Sequence, residues 1–260
     1  KVGQDYSEAQ GEKKIGWGFG IVARQHDGWC TDLFTNFGAD VWDETGTKII
    51  LAESSMENAV RALNFIQEAY DMGLFPSDAA SWDFASNNTN YQEEQGLLVI
   101  NAASIYVWAE ENKPELAEVT GLAPKPADLR DTTDAGLRYT LVLNKEAANP
   151  TKAVDLIRDL YAAEIYRPWL EAGFVTNVLA EYNTLPMWEG KRAQFNLAAN
   201  IGVYGGYPAP FDNAAMAEWT GGPNAPVGSM IVRVLIDGWT PEEAIAEADE
   251  FGKRVFEKYY

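Results

Sequence analysis

The sequence has 260 residues, of which 39 are Asp or Glu and 20 are Lys or Arg, so its formal net charge is −19 at pH 7. This excess of negative charge argues against binding to a phosphate backbone or to an anionic membrane surface. A hydrophobic content of 47%, with 9 Trp, 12 Tyr and 11 Phe residues, is sufficient for a packed core. We therefore expect a folded globular protein with one large domain or two smaller ones.

The sequence offers few residues for catalysis or metal binding. Cys30 is the only cysteine and His26 the only histidine, which excludes an intrachain disulfide, a multi-cysteine metal cluster and a histidine-rich zinc site. Acidic pairs are adjacent in the sequence, and on a helix neighbouring residues point about 100° apart. We therefore predict no catalytic residue, no metal site and no cofactor. Two carboxylates from distant segments could still form a glycosidase site, and this alternative stays open.

The first predicted elements are a strand and a helix. Residues 16–22 have glycines alternating with aromatic or aliphatic residues, as in a glycine-rich strand. Ser54 and Glu57 have the spacing of a capping box, and apolar residues at helical spacing follow until Gly73. This pattern predicts a helix that begins at Ser54 and ends before Gly73.

A short polar helix and a buried strand are predicted next. The apolar run 97–100 does not alternate with polar residues, which is typical of a strand covered on both faces. Asn101, Ser104, Tyr106 and Trp108 follow it, where the carboxyl end of a strand presents groups to a binding crevice. The alternative is structural: Ser104 would cap the next helix, and the two aromatic residues would lie in the core.

The second half of the sequence contains the patterns of one strand and two helices. Residues 136–143 have the composition of a strand and follow the proline-rich loop 123–126, a candidate crossing between lobes. Asn149 and Pro150 begin a helix that should turn three apolar residues inward: Val154, Ile157 and Tyr161. Thr240 and Glu243 form a capping box at the start of the last helix.

Aromatic and amide side chains are frequent in the polar, glycine-containing loops. They include Trp29, Asn36, Trp42, Trp82, Asp83, Asn87, Asn88, Tyr204, Tyr207 and Trp219. Sugars stack their apolar faces on aromatic rings, while amides and carboxylates satisfy the sugar hydroxyl groups. This combination favours carbohydrate binding, although a single Trp is more often a core residue than a ligand contact.

The order of several motifs resembles the extracellular solute-binding proteins of sugar ABC importers, the family that includes maltose-binding-protein-like receptors. The motifs are residues 37–46, the predicted helix that ends at 73–76, residues 95–101, residues 144–153 and residues 238–244. The resemblance covers essentially the whole chain. It rests on the order and spacing of the motifs, because each motif by itself is loose.

This resemblance implies an α/β fold of the type II periplasmic-binding-protein kind, with two lobes joined by crossing segments and the first lobe incomplete. Residues 1–122 would form most of the second lobe, 123–165 would return to the first lobe, and 166–260 would supply closing helices. Family members usually carry a further N-terminal part, for which we see no counterpart before Lys1.

The resemblance also implies a function without catalysis. A carbohydrate would bind in the cleft between the lobes of a monomeric receptor and pass to the permease subunits of an ABC importer. The receptor would be periplasmic or extracellular, with a membrane-anchored lipoprotein as one form of it. The implied ligand-binding residues are Trp82, Asp83, Asn88, Asn101, Ser104, Tyr106, Trp108, Tyr204 and Tyr207. Two alternatives remain: a glycoside hydrolase, and a receptor for a cationic or peptide-like solute on the same fold.

Overall fold

The structure is a computed structural model, and it describes residues 1–18, 29–83, 85–102, 104–123, 143–172, 182, 184–193, 214–221 and 226–260. The chain divides into two compact units. Unit 1 comprises Lys1–Ile100, Pro126–Ala135 and Tyr204–Tyr260, and unit 2 comprises Asn101–Lys125 and Gly136–Val203. The predicted assignment of residues to lobes stays a prediction.

The described residues are mainly helical. The α-helices are α1 (Val2–Ala9), α2 (Trp29–Asn36), α3 (Met56–Asp71), α4 (Ser86–Gln92), α5 (Ser104–Asn112), α6 (Pro114–Val119), α7 (Pro150–Leu160), α8 (Ala163–Glu171), α9 (Ala214–Gly221), α10 (Pro226–Leu235) and α11 (Pro241–Phe256). Among the described residues, 3₁₀-helical turns lie at Ala79–Ser81 and Gly190–Arg192.

Extended backbone in unit 1 pairs at two places among the described residues. Ile15 forms a parallel bridge with Gly96, and Trp42 forms an antiparallel bridge with Ile49. The parallel pairing continues beyond the bridge, because the amide of Gly18 donates to the carbonyl of Leu98 at 2.8 Å. Residues 19–22 of the first predicted strand and residues 136–142 of the later one lie outside the described residues.

The prediction that both faces of the run 97–100 are covered is wrong. Leu97 is 43% exposed and Leu98 is 48% exposed. An unbroken apolar run indicates what a strand is able to bury, whereas its actual burial depends on which distant elements cover it. The described elements of this chain leave these two side chains open to solvent.

The core of unit 1 is formed by α3, α10 and α11, which contact one another. Each turns one apolar face inward, as the helical spacing of its residues requires. In α3 these residues are Ala59, Leu63 and Ile66, each at most 1% exposed. Asp249 adds a polar link, because its Oδ1 accepts from the amide of Ala52 at 3.0 Å.

The predicted helix caps have different outcomes. Asn149 caps α7 by accepting from the amide of Lys152 at 3.2 Å, and Thr240 and Glu243 form the predicted capping box of α11. The capping box predicted at Ser54 is wrong, since α3 begins at Met56 and no side chain caps it.

The neighbouring hydroxyl explains the absence of a cap at α3. The Oγ atom of Ser55, the residue at the N-cap position, accepts from the amide of Asp40 at 2.9 Å. This hydroxyl therefore fixes a loop instead of the helix end. The predicted stop is confirmed, because α3 ends at Asp71 and Gly73 adopts a positive φ of 67°.

In unit 2, Tyr166, Leu170 and Tyr182 form a small buried cluster, and the rings of Tyr166 and Tyr182 lie 5.6 Å apart. The prediction that α7 turns Val154, Ile157 and Tyr161 inward is wrong. No residue of α7 is buried, and Tyr161 just beyond it is 36% exposed. The helix forms where the sequence predicts it, but its apolar residues are half-buried, as Ile157 is, or exposed, as Leu156 is.

Candidate functional site

The strongest candidate residues lie around the start of α5 in unit 2. Asn101 is exposed, and its Oδ1 accepts from the amide of Ala102 at 2.7 Å. Ser104 is the first residue of α5, and Trp108 follows one helical turn later. Residues four apart lie on the same face of a helix, so Ser104 and Trp108 are neighbours on the surface of α5.

The two aromatic candidates of α5 differ in exposure. Trp108 is half-buried, which leaves part of its ring open to solvent, whereas Tyr106 is only 5% exposed. Residues two apart on a helix point in nearly opposite directions, which accounts for this difference. Trp108 is therefore the better placed of the two for stacking on a ligand, and Tyr106 matches the alternative of a core aromatic.

Two basic residues missed by the sequence analysis hold α5 and α6 in place. Arg192 pairs with Glu110 of α5 at 2.7 Å and donates to the carbonyl of Glu171 at 3.0 Å. Lys191 donates to three backbone carbonyls at the end of α6, those of Ala117 at 2.7 Å, Glu118 at 2.6 Å and Thr120 at 2.6 Å.

The ammonium group of Lys191 thus donates its three hydrogen bonds to carbonyls that the end of a helix leaves unpaired. The helix dipole also favours a positive charge at this end. The two residues fix the segment that carries Ser104 and Trp108. No local signal distinguishes them from solvated charges, because their partners lie far away in the sequence.

The second group of candidates, Trp82, Asp83 and Asn88, lies in unit 1 around the start of α4. Trp82 is 9% exposed, Asn88 is half-buried and Asp83 is exposed. The Asp83 carboxylate accepts from the hydroxyl of Ser86 at 2.8 Å and from the amide of Ala85 at 3.0 Å. These hydrogen bonds, that from Ser86 first, lower the pKa of Asp83 and keep it ionised.

Two further amides on α4 are buried: Asn87, which the sequence analysis grouped with the residues that favour carbohydrate binding, and Asn90, which it did not name. Asn87 and Asn90 are 5% and 7% exposed, and among the described residues the Oδ1 atom of each has no hydrogen-bond partner. Asn90 packs so closely against Gly18 and Gly96 that a Cβ at either position would collide with its side-chain oxygen. The glycines therefore permit the close approach of α4 to the paired backbone of residues 15–18 and 95–98.

Three residues named in the sequence analysis, Tyr204, Tyr207 and His26, lie outside the described residues. The other candidates fall into two groups, one in each unit, and their roles stay predictions. Within the described ranges, no three His, Cys, Asp or Glu side chains form a group that could hold a metal ion. None of the helices described is both long and apolar enough to cross a membrane.

Comparison with solved structures identifies the fold. MalE3 of T. maritima with maltose bound has a TM-score of 0.73 and 19% identity, over 97% of this chain and 63% of that one. The GacH receptor of Streptomyces glaucescens, solved unliganded and with acarbose, has a TM-score of 0.71 and 17% identity, over 98% and 62%. A cyclo/maltodextrin-binding protein complexed with maltotetraose has a TM-score of 0.62 and 20% identity, over 96% and 62%.

These likenesses confirm the predicted periplasmic-binding-protein fold. The chain spans less than two thirds of the length of these proteins. No protein-family model matches the sequence. No curated protein matches it either. At this level of identity, the likeness establishes how the chain folds, and a function has to be argued from the residues as well.

Proposed function

We propose that the protein is an extracytoplasmic solute-binding receptor that binds a carbohydrate and delivers it to the permease of an ABC importer. The observation that carries this proposal is the structural likeness to sugar-binding proteins over 96–98% of the chain. The ligands seen in those proteins are maltose, acarbose and maltotetraose, which are all carbohydrates.

The described residues of α5 supply chemistry that suits such a ligand. Trp108 offers an aromatic face that is partly open, and the hydroxyl of Ser104 lies on the same side of the helix. Exposed Asn101 adds an amide just before the helix. A ring that stacks on a sugar, with polar groups at its margin for the hydroxyls, is a common arrangement in carbohydrate sites.

The proposed mechanism is binding without turnover. A receptor of this kind has a ligand-free and a ligand-bound conformation, and the ligand shifts the population toward the second because it binds that one more tightly. The permease then recognises the bound conformation. A net charge of −19 disfavours an anionic solute, and the many acidic residues leave a cationic solute as the alternative within the same fold.

A thermal-shift screen against mono- and oligosaccharides, amino acids and polyamines tests the proposal, because a ligand that binds the native state raises the unfolding midpoint. We expect a saturable shift with one class of carbohydrate. A shift with a polyamine that disappears at high salt would replace the sugar with a cationic solute. A protein that unfolds cooperatively and responds to no carbohydrate would contradict the proposal.

Variants of single Trp residues test whether the ligand that raises the unfolding midpoint binds at α5. Trp108→Ala should weaken binding roughly fivefold to tenfold, since an aromatic stacking contact contributes about 1 kcal/mol. Trp169→Ala is the matched control, because Trp169 is an exposed Trp of the same unit that is not among the candidate residues. Equal losses in both variants would remove the assignment to Trp108. Release of product from a bound oligosaccharide would favour the glycoside hydrolase alternative.

A further inference from the structure

Arg192 joins two helices of unit 2 through all three nitrogen atoms of its guanidinium group. Its Nε donates to Oε2 of Glu110 on α5 at 2.7 Å, and its Nη2 lies 2.7 Å from the same oxygen. Its Nη1 donates to the carbonyl of Glu171, the last residue of α8, at 3.0 Å. The side chains of Arg192 and Glu110 are 21% and 31% exposed, so salt screens this pair less than an exposed one. Because charge-assisted hydrogen bonds are strong and directional, this contact restricts the movement of α5.

The pair contacts α5 on the side opposite to the candidate ligand contacts. At 100° per residue, Ser104 and Trp108 lie about 40° apart, whereas Glu110 lies about 200° beyond Trp108. Tyr106, four residues before Glu110, is on the same side as Glu110 and is buried. Arg192 therefore holds the rear of the helix and does not occupy the side on which Trp108 lies.

The rotation of α5 about its axis decides where the Trp108 ring lies. The buried residues of α5 are Tyr106, Val107 and Ala109, and apolar packing is by itself non-directional. Side chains reach about 5–6 Å from a helix axis, so a rotation of about 10° moves a ring by about 1 Å. A binding group has to be held within about 0.5 Å and 10–20° of its productive position. A directional ion pair behind α5 meets this requirement better than apolar contacts alone.

We propose that Arg192 is a positioning residue for ligand binding. Through Glu110 it fixes the rotation of α5 and thereby the position of the Trp108 ring against a sugar. This inference rests on the proposed function and extends it to a residue that acts through another residue instead of contacting the ligand. The turn Gly190–Arg192 then contributes to affinity, although Arg192 and Glu110 are 82 residues apart in the sequence.

Calorimetric titration with maltotetraose, or with the sugar that gives the largest thermal shift, separates positioning from stability when each variant is titrated well below its unfolding midpoint. Arg192→Met should raise the dissociation constant by about threefold, which is less than the loss from Trp108→Ala, because the ring is displaced but retained. Glu110→Gln should act similarly with a smaller change of shape. Arg192→Lys keeps the charge and should recover part of the affinity. Arg158→Met is the matched control, because Arg158 pairs with Asp155 on the surface of α7, and it should bind like the parent protein.

A double variant decides whether Arg192 acts through Trp108. If it does, Arg192→Met should add less than about a twofold loss of affinity to the Trp108→Ala protein. Losses that multiply in the double variant would overturn the inference and leave the proposed function intact. A lower unfolding midpoint of Arg192→Met with an unchanged dissociation constant would do the same, because the pair would then be structural only. A parent protein that binds no carbohydrate would instead overturn the proposed function, and this inference with it.

Discussion

The close approach of α11 to residue Ile49 gives a quantitative test of the packing in unit 1. Gly252 lies on α11, and a Cβ at this position would be 2.6 Å from Cγ1 and 2.9 Å from Cδ1 of Ile49. It would also lie 3.0 Å from Nε1 of Trp219. Carbon atoms in contact prefer separations of about 3.5–4.0 Å. Ile49 and Trp219 are each 1% exposed, so neither side chain can move into solvent.

Gly252→Ala should therefore lower the free energy of unfolding by about 1–2 kcal/mol. Overpacking a core costs about 1–3 kcal/mol, and the better helix propensity of Ala returns at most about 1 kcal/mol of this. Ile49→Ala alone should cost about 2–5 kcal/mol, because it leaves a cavity. In the double variant the new methyl group occupies part of that cavity. Its loss of unfolding free energy should therefore be smaller than the sum of the two single losses by about 1 kcal/mol or more.

Urea unfolding followed by circular dichroism measures each term of this cycle. Gly121→Ala is the control, since no atom of the described residues other than its two chain neighbours lies within 4 Å of a Cβ at that position, and it should change stability by less than about 0.5 kcal/mol. Two results would refute the packing argument: a Gly252→Ala protein as stable as the parent, or losses in the double variant that add without any coupling.

Three further predictions concern polar contacts. Lys191→Met should increase the rate of amide hydrogen exchange in α6 by about tenfold, because three backbone carbonyls lose their hydrogen-bond donor. An unchanged exchange rate would show that solvent replaces the ammonium group. Asp249→Asn should lower the free energy of unfolding in urea by about 1–3 kcal/mol, because the Asp249 carboxylate is only 3% exposed and pairs with Lys253 at 2.8 Å. A loss below about 0.5 kcal/mol, the usual limit for surface substitutions, would contradict this. The amide and hydroxyl of Thr240 lower the pKa of Glu243, so its stabilisation of α11 is present above the ordinary carboxyl pKa and is lost as pH falls through the lowered value. Glu243→Gln should therefore make the acid-side fall of the unfolding midpoint shallower, and an identical pH profile would exclude this contribution.

Local sequence signals predicted the ends of helices better than they predicted burial. The caps at Asn149 and Thr240 are confirmed because each depends on atoms within three residues. The cap at Ser54 is wrong because the hydroxyl of Ser55 is used by Asp40, which lies 15 residues away. Helical spacing likewise identified α7, yet it could not reveal that no residue of this helix is buried.

The same difference between local and long-range contacts decides which features of the candidate site could be predicted. Placement of Ser104 and Trp108 on one face follows from helix geometry and could be predicted from the sequence. The contacts that fix this segment could not, since Arg192 and its partner Glu110 are 82 residues apart. The close packing of Asn90 against Gly18 depends on a similar long-range approach. Such contacts arise from tertiary structure, which local patterns do not encode.

Calorimetric titration with maltotetraose, combined with chromatography of the recovered sugar, tests the proposed receptor function most directly. Maltotetraose is the ligand of one structural neighbour, and it offers several sugar rings for stacking. We expect saturable binding that Trp108→Ala weakens and Trp169→Ala does not, with the oligosaccharide recovered intact. A folded protein that shows no heat of binding with this or any other carbohydrate, or that returns shortened sugars, would contradict it.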